Sequence, residues 1–182
     1  MAWGISGARK GLRYCLLGLA PITSITSTLA HAEEYSPPSS SIVVDGNSGD
    51  VLQASSPDAL RHPASLTKIM TLYLLFERLE AGTIKLDSQL KVSEHASEQA
   101  PTKLGLKPGE TIAVEDAIKA IVTKSANDAA VVVAENLSAD EDHFAELMTR
   151  KARTLGMTRT TYINASGLPD DDQVTKIGRA HV

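Results

Sequence analysis

The chain has 182 residues, of which 42% are hydrophobic and 22% charged, and its formal net charge is −4 at pH 7. This length suits one ordinary domain and excludes two large ones. The acidic balance argues against a nucleic-acid partner, which a basic surface would favour. The single cysteine, Cys15, cannot build a disulfide framework or a cysteine zinc site.

The first 32 residues have the features of a secretory signal peptide. Arg9, Lys10 and Arg13 form a basic start, an apolar stretch follows, and Ala30-His-Ala32 is a small-x-small cleavage site. Hydroxyl residues and a proline interrupt the apolar stretch, which disfavours the alternative of an uncleaved membrane anchor. Cleavage after residue 32 would remove three basic residues and no acidic one, changing the net charge from −4 to −7. We therefore expect an exported protein, in the periplasm or cell envelope.

The mature chain is predicted to begin with a flexible leader and a hairpin. The leader, residues 33–40, contains two prolines and several serines. The β-branched run Ser41–Asp45 and the run Asp50–Ala54 flank the turn Asp45–Gly49. This pattern predicts two short antiparallel strands.

Helices dominate the rest of the pattern. Pro63 suits the first position of a helix, and apolar residues between Ala64 and Ala81 cover most of its circumference, so we predict a long buried helix. The later predicted elements are helices over Val114–Val122, Ala126 or Asn127 to Leu137, and Asp140–Leu155, an extended segment over Thr158–Ile163, and a loop over Asn164–Asp172. Strands at the start followed by helices predict an α/β or α+β fold.

A first candidate site is the sequence Ser65-Leu-Thr-Lys68. On a helix, positions i and i+3 lie on one face. A lysine held in a desolvated site can lose its proton near neutral pH and then accept the serine hydroxyl proton. Ser88-Gln-Leu-Lys91 has the same spacing, but it lies in a polar stretch. Ser65 and Lys68 open the most apolar predicted helix, where an unused lysine would be costly.

A second candidate is Ser125-Ala-Asn127, at a polar corner between two apolar helices. A hydroxyl there could relay a proton, and a carboxamide could hold a substrate carbonyl. Helix capping by Ser125 or Asn127 is the structural alternative, since both residue types are common at helix starts.

Together these motifs resemble those of the penicillin-recognising serine enzymes, whose signature includes S-x-x-K and S-D-N. The stretch Pro63–Met70 resembles the nucleophile helix of the serine D-alanyl-D-alanine carboxypeptidases, the low-mass penicillin-binding proteins. The segments Ser41–Asp45, Ser125–Ala130 and Ala152–Asp170 are also similar to that family, in the same order.

The resemblance implies a function for each motif residue. Ser65 would be the acylated nucleophile, Lys68 its base, Ser125 a proton relay to the leaving amine, and Asn127 a ligand of the substrate amide. The fold would be an antiparallel sheet flanked by helices, beside an all-helical lobe. The reaction would remove the terminal D-alanine from a peptidoglycan stem peptide, with β-lactams as inhibitors and without a metal or cofactor.

The family's third motif, K-T-G, does not occur in this sequence. Lys176-Ile-Gly178 resembles it only superficially. We therefore expect residues 41–175 to be an incomplete catalytic domain that stops before the C-terminal strands, and residues 176–182 to be an atypical tail. On this interpretation the 182-residue chain is poorly stable and inactive. Any membrane association would depend on a C-terminal region that is missing here.

Two rival functions remain open. A class A-like β-lactamase would need Asp at the position of Ala126 and a deacylating glutamate after the second motif, and Thr158–Asp170 contains no glutamate. A non-catalytic sensor of peptidoglycan or penicillin is the other rival. His62, His95 and His143 lack metal-ligand spacing, so surface positions are favoured for them over a metal site.

Overall fold

The computed structural model describes residues 38–177, which form two small antiparallel sheets and five α-helices. The predicted signal peptide, most of the leader and the tail from residue 178 lie outside the described residues. The strands are β1 (Ser41–Val44), β2 (Val51–Ser55), β3 (Gln89–Lys91) and β4 (Thr111–Ala113). The helices are α1 (Thr67–Glu80), α2 (Glu94–Glu98), α3 (Val114–Lys124), α4 (Asn127–Leu137) and α5 (Glu141–Thr154).

The predicted N-terminal hairpin is confirmed. Strands β1 and β2 pair in antiparallel register, with Ser41 opposite Ser55. The carboxylate of Asp45 accepts hydrogen bonds from the backbone N–H groups of Asn47 and Ser48, at 2.9 and 2.8 Å. This side-chain-to-backbone turn reverses the chain after the first strand.

Helix α4 forms the centre of the core. Every residue from Ala129 to Ala134 in this helix is fully buried, because α4 packs against α1, α2, α3 and α5. Small side chains allow the backbones to approach closely, whereas larger apolar residues from the surrounding helices fill the remaining space. The main apolar contributions come from Leu75 on α1, Val114 and Ile121 on α3, and Phe144 and Met148 on α5.

The prediction that the helix after Pro63 is buried around most of its circumference is wrong. The chain makes a single 3-10 turn over Ala64–Leu66 before α1 begins, and α1 packs against α4 and α5. Away from the core, the 3-10 turn and α1 carry the exposed apolar side chains Leu66, Ile69, Tyr73 and Phe76. The sequence shows that apolar residues surround the helix, but it does not show what covers them. Among residues 38–177 no element buries these four side chains.

The polar stretch between α1 and α3 contains three elements that the sequence analysis missed. Strands β3 and β4 pair antiparallel, and α2 is capped by Ser93, whose hydroxyl accepts from the N–H of Ala96. Each strand has only three residues, which is too short to establish a two-residue period. Because Lys91 lies in β3, the Ser88–Lys91 match does not have the helical geometry that an S-x-x-K site needs.

A buried carboxylate fixes the loop that precedes β4. Asp128 lies in the first turn of α4 and is fully buried. It accepts hydrogen bonds from the backbone N–H groups of Leu104, Gly105 and Leu106, at 2.9 to 3.2 Å, and from that of Ala129. The N-terminal end of a helix also favours a negative charge. The loop is therefore attached to the same helix end that carries Asn127.

The predicted extended segment Thr158–Ile163 contains only one isolated bridge, between Thr161 and Val174. The loop after it is held by side chains. The amide oxygen of Gln173 accepts from the N–H groups of Ile163 and Asn164, both at 3.1 Å. The Asn164 side chain in turn accepts from the N–H of Gly167 at 2.7 Å.

Gly167 makes a close approach to the turn that carries Ser65. Its φ is +84°, and a Cβ placed on it would lie 1.9 Å from the carbonyl oxygen of Ala64. A side chain there would therefore suffer both backbone strain and a collision with backbone atoms. Only glycine lets the loop and the turn that carries Ser65 lie this close together.

None of the helices within residues 38–177 has the length and apolar character needed to cross a membrane.

We expect Gly167→Ala to lower the free energy of unfolding by about 2 kcal/mol or more, because it adds a collision to an unfavourable φ. Urea unfolding followed by circular dichroism measures this change. Gly109→Ala is the matched control, since Gly109 also has a φ of +84° but has open space around the position of a Cβ. Equal losses in the two variants would contradict a packing role for Gly167.

We expect Asp128→Asn to lower the free energy of unfolding by about 2 kcal/mol, because an amide NH₂ would face backbone donors that now share a carboxylate. Asp116→Asn provides the control on α3, where the carboxylate is exposed and 3.7 Å from Lys119. That change should leave the stability almost unaltered, because exposed ion pairs contribute little. The same urea titration compares the two variants, and similar losses would contradict the structural role of Asp128.

Candidate active site

Ser65 lies in the 3-10 turn that leads into α1. Ala64, just before it, has a φ of +47°, an unfavourable conformation for a residue with a side chain. Ser65 itself is exposed. The first turn of a helix also has backbone N–H groups without partners in the helix. The structure thus presents a hydroxyl to solvent at a helix start.

Lys68 lies one turn further along and is almost completely buried, with 4% of its surface exposed. Its Nζ donates to the side-chain oxygen of Asn127 at 2.8 Å and to the carbonyl oxygen of Ser166 at 2.5 Å. It lies 3.5 Å from the Oγ of Ser65. Burial lowers the pKa of Lys68 from the ordinary value of 10.5 to about 8.

The three neighbours of Nζ determine what the amine can do. A neutral amine has two N–H bonds and one lone pair. The Asn127 oxygen and the Ser166 carbonyl accept hydrogen bonds but cannot donate, so they take the two N–H groups. The remaining lone pair is then available to the third neighbour, the hydroxyl of Ser65. In its neutral form Lys68 is therefore oriented to accept a proton from that hydroxyl.

Asn127 is fixed from two directions. Its side-chain N–H donates to the carbonyl oxygen of Ala100 at 2.8 Å, and its backbone N–H donates to that of Thr102, also at 2.8 Å. The side-chain nitrogen of Asn127 is thus bonded to the loop at Ala100, and its side-chain oxygen accepts from Lys68. The capping alternative is not observed: the residue at the N-cap of α4 is Ala126, which makes no side-chain capping hydrogen bond.

Ser125 occupies the corner between α3 and α4 and is partly exposed. Its φ of +55° places it in the left-handed region, where a non-glycine residue costs on the order of 1 kcal/mol. Within residues 38–177 its hydroxyl has no hydrogen-bond partner. The structure therefore places Ser65 and Asn127 beside Lys68. Ser125 lies two residues before Asn127 and makes no hydrogen bond to Lys68.

Sequence reasoning missed the contribution of the loop 164–167. The Ser166 carbonyl that holds Lys68 is a backbone group, so its residue type gives no signal of its role. The hydroxyl of Thr71, one turn after Lys68, donates to the carbonyl of Ala165 at 2.7 Å. Thr71 and Ala165 are both fully buried. The one sequence feature that could have indicated this loop is the segment N-A-S-G at 164–167, whose glycine is required by close packing.

The three histidines considered as metal ligands each have a different partner. His62 Nδ1 lies 3.0 Å from the carbonyl of Gln173, and His143 Nδ1 lies 2.7 Å from the carboxylate of Asp140. His95 Nε2 lies 2.7 Å from the carboxylate of Glu141. Each histidine therefore belongs to a separate local interaction.

The chain is similar in sequence to bacterial carboxypeptidases over most of its length. It is 36% identical over 146 residues to the D-alanyl-D-alanine carboxypeptidase DacF of Bacillus subtilis (strain 168), covering 80% of this chain and 36% of that protein. It is 35% identical over 133 residues to DacC of Escherichia coli (strain K12), covering 70% of this chain and 33% of that protein. The chain thus spans about a third of the length of these relatives.

Solved structures show the same likeness. The D-alanyl-D-alanine carboxypeptidase DacD from Francisella tularensis has a TM-score of 0.71 and 32% identity, covering 75% of this chain and 33% of that one. Penicillin-binding protein D2 from Listeria monocytogenes in its ampicillin-bound form has a TM-score of 0.66 and 29% identity, covering 76% of this chain and 56% of that one. The predicted mixed α/β fold of this enzyme class is confirmed.

The model of the peptidase S11 family, described as D-alanyl-D-alanine carboxypeptidase, matches residues 27–178. The motif residues, the buried lysine and these likenesses agree with one another: the chain belongs to the D-alanyl-D-alanine carboxypeptidase family.

Proposed function

We propose that this chain carries the nucleophile of a serine-type D-alanyl-D-alanine carboxypeptidase. The protein would remove the terminal D-alanine from peptidoglycan stem peptides through an acyl-enzyme. The single observation that supports this most strongly is the environment of Lys68, a buried amine with a lowered pKa whose free lone pair is available to Ser65.

In the proposed acylation step, Lys68 takes the proton of the Ser65 hydroxyl while Oγ attacks the carbonyl carbon of the terminal peptide bond. With a pKa of about 8, roughly one Lys68 in ten is neutral at pH 7. That fraction supplies a base strong enough to activate a serine and available at physiological pH. An ordinary exposed lysine would have a neutral fraction lower by more than two orders of magnitude.

The leaving amine then needs a proton. We propose that the Ser125 hydroxyl donates its proton to this amine and takes one back from protonated Lys68, which returns Lys68 to its neutral form. Ser125 is partly exposed at the corner before α4, and its hydroxyl has no other partner among residues 38–177. Asn127 would bind the substrate amide while its oxygen keeps Lys68 in place. Water finally hydrolyses the acyl-enzyme, with Lys68 again as the base, and Ser65 is regenerated.

We further propose that the protein is exported to the cell envelope, where its peptidoglycan substrate lies, and that β-lactams acylate the same serine. The Listeria relative solved in an ampicillin-bound form supports the second point by analogy. Complete catalysis should also require a Lys-Thr-Gly segment. Because this sequence does not contain one, we propose that the 182-residue chain alone does not turn over substrate.

The two rivals lack comparable support. A class A-like β-lactamase would have an acidic residue where Ala126 stands and a glutamate to hydrolyse the acyl-enzyme, but the loop over 158–170 contains no glutamate. A non-catalytic sensor would have no need for a lysine held at hydrogen-bonding distance from an exposed serine. Carboxypeptidase activity is therefore the function that the geometry favours.

Labelling with a fluorescent penicillin tests this proposal. The protein extended through a Lys-Thr-Gly segment should form a stoichiometric adduct on the peptide that contains Ser65, detected by mass spectrometry. It should also release D-alanine from a short peptide ending in D-Ala-D-Ala. The 182-residue chain should do neither, and a stoichiometric adduct on it would contradict our proposal that it is inactive.

Two substitutions make the test specific. In the extended protein, Ser65→Ala should abolish both the adduct and D-alanine release, whereas Ser88→Ala should leave both unchanged, since Ser88 belongs to the other S-x-x-K match. Rapid hydrolysis of nitrocefin would favour the β-lactamase instead. A Ser65→Ala protein with unaltered D-alanine release would refute the carboxypeptidase mechanism proposed for this site.

A further inference from the structure

The loop segment Ala165–Ser166, which holds Lys68, is fixed by hydrogen bonds on three successive peptide groups. The Ser166 carbonyl accepts from Lys68, and the Ala165 carbonyl accepts from the hydroxyl of Thr71. The third contact is on the N–H of Ala165, which donates to a carboxylate oxygen of Glu141 at 2.9 Å. The first two contacts come from α1, whereas the third comes from the start of α5.

Glu141 is well suited to fix this peptide. Its side chain is only 12% exposed, and its second carboxylate oxygen lies 2.7 Å from Nε2 of His95 on α2. The hydrogen bond to Glu141 is the main cause of the raised pKa of His95, and the carboxylates of Glu135 and Glu98 add to it. The two oxygens of Glu141 therefore connect α2 and the start of α5 to the loop that covers Lys68.

We propose that Glu141 is a positioning residue of the lysine–serine site: it holds the N–H of Ala165 and thereby keeps the Ser166 carbonyl against the Nζ of Lys68. This inference rests on the proposed function for its catalytic meaning, but the contact itself can be tested without activity. Glu141 makes no hydrogen bond or ion pair with Ser65 or Lys68, so the proposed effect acts through the loop 164–167.

Two consequences follow when this contact is lost. The Ser166 carbonyl no longer takes one N–H of the neutral amine, so the lone pair of Lys68 is no longer directed only at Ser65. Water also reaches the amine more easily, because buried Ala165 and Ser166 belong to the loop that excludes it. Since burial is the cause of the lowered pKa of Lys68, loosening the loop should move that pKa back towards 10.5.

Glu141 could instead act only as a negative charge in the first turn of α5, where it would stabilise the helix by interacting with the positive end of its dipole. Two conservative substitutions separate these roles. Glu141→Gln keeps the length of the side chain and an oxygen for the N–H of Ala165, but removes the charge. Glu141→Asp keeps the charge at the helix start, but is one methylene shorter and draws the carboxylate away from Ala165.

The experiment is an NMR titration of Lys68 in the 182-residue chain, with ¹³C-labelled lysine and assignment by comparison with Lys68→Arg. Positioning by Glu141 predicts that the pKa of Lys68 stays near 8 in Glu141→Gln and rises by about one unit in Glu141→Asp and Glu141→Ala. Hydrogen exchange at the Ala165 amide should accelerate in the same two variants. Glu146→Ala, on the exposed face of α5, is the control and should leave both readouts unchanged.

The opposite pattern would overturn the proposal. If the pKa of Lys68 is unchanged in Glu141→Asp and moves in Glu141→Gln, then the negative charge of Glu141 affects Lys68 and the length of its side chain does not. If it stays near 8 in all three variants while only the melting temperature falls, Glu141 is structural. Should Glu141→Ala fail to fold, the Asp and Gln variants decide the question. Failure of the carboxypeptidase proposal would appear separately, in the penicillin labelling of Ser65.

Discussion

The burial of one amine determines how this site is built. Lys68 is a charged residue by nature, and removing it from water without a carboxylate partner is unfavourable. No ion pair to Lys68 occurs within residues 38–177. The protein compensates only in part, with the Asn127 oxygen and the Ser166 carbonyl as acceptors. The remaining cost appears as a pKa lowered to about 8, which is also the property that the proposed role of Lys68 as a base requires.

Three separate parts of the chain surround the Lys68 amine. Helix α1 carries Lys68, and the start of α4 carries Asn127, whose amide nitrogen is held by the Ala100 carbonyl. The loop 164–167 supplies the third side and packs so closely on the turn that carries Ser65 that Gly167 has no room for a side chain. Contacts distant in sequence, rather than the S-x-x-K motif alone, therefore bury Lys68 and lower its pKa.

The sequence indicates the side chains of the candidate site more readily than the groups that hold them in place. The sequence predicts one site for Ser65, Lys68 and Asn127, because hydroxyl, amine and amide groups at those spacings suit acyl transfer, and the structure places both Ser65 and Asn127 beside Lys68. The Ser166 carbonyl was not predicted, because every residue has one. The four bonds to Asp128 were missed because a buried carboxylate looks like a solvated one in sequence. The exposed apolar side chains of α1 were predicted buried because periodicity shows which residues are apolar, but not whether another element covers them.

The dependence of stability on pH tests the central claim that burial of Lys68 lowers its pKa. The difference in unfolding free energy between the wild-type chain and Lys68→Met should be measured by urea titration from pH 7 to 10.5, so that other titrating groups cancel. Between pH 8 and 10.5 the unfolded wild-type chain binds more protons at Lys68 than the folded one, so wild-type stability should rise relative to the variant. We predict a gain of about 2 kcal/mol, less than the full shift implies because the amine adjoins the exposed Ser65. A difference that does not change with pH would show that Lys68 titrates like a solvated lysine and would contradict this account.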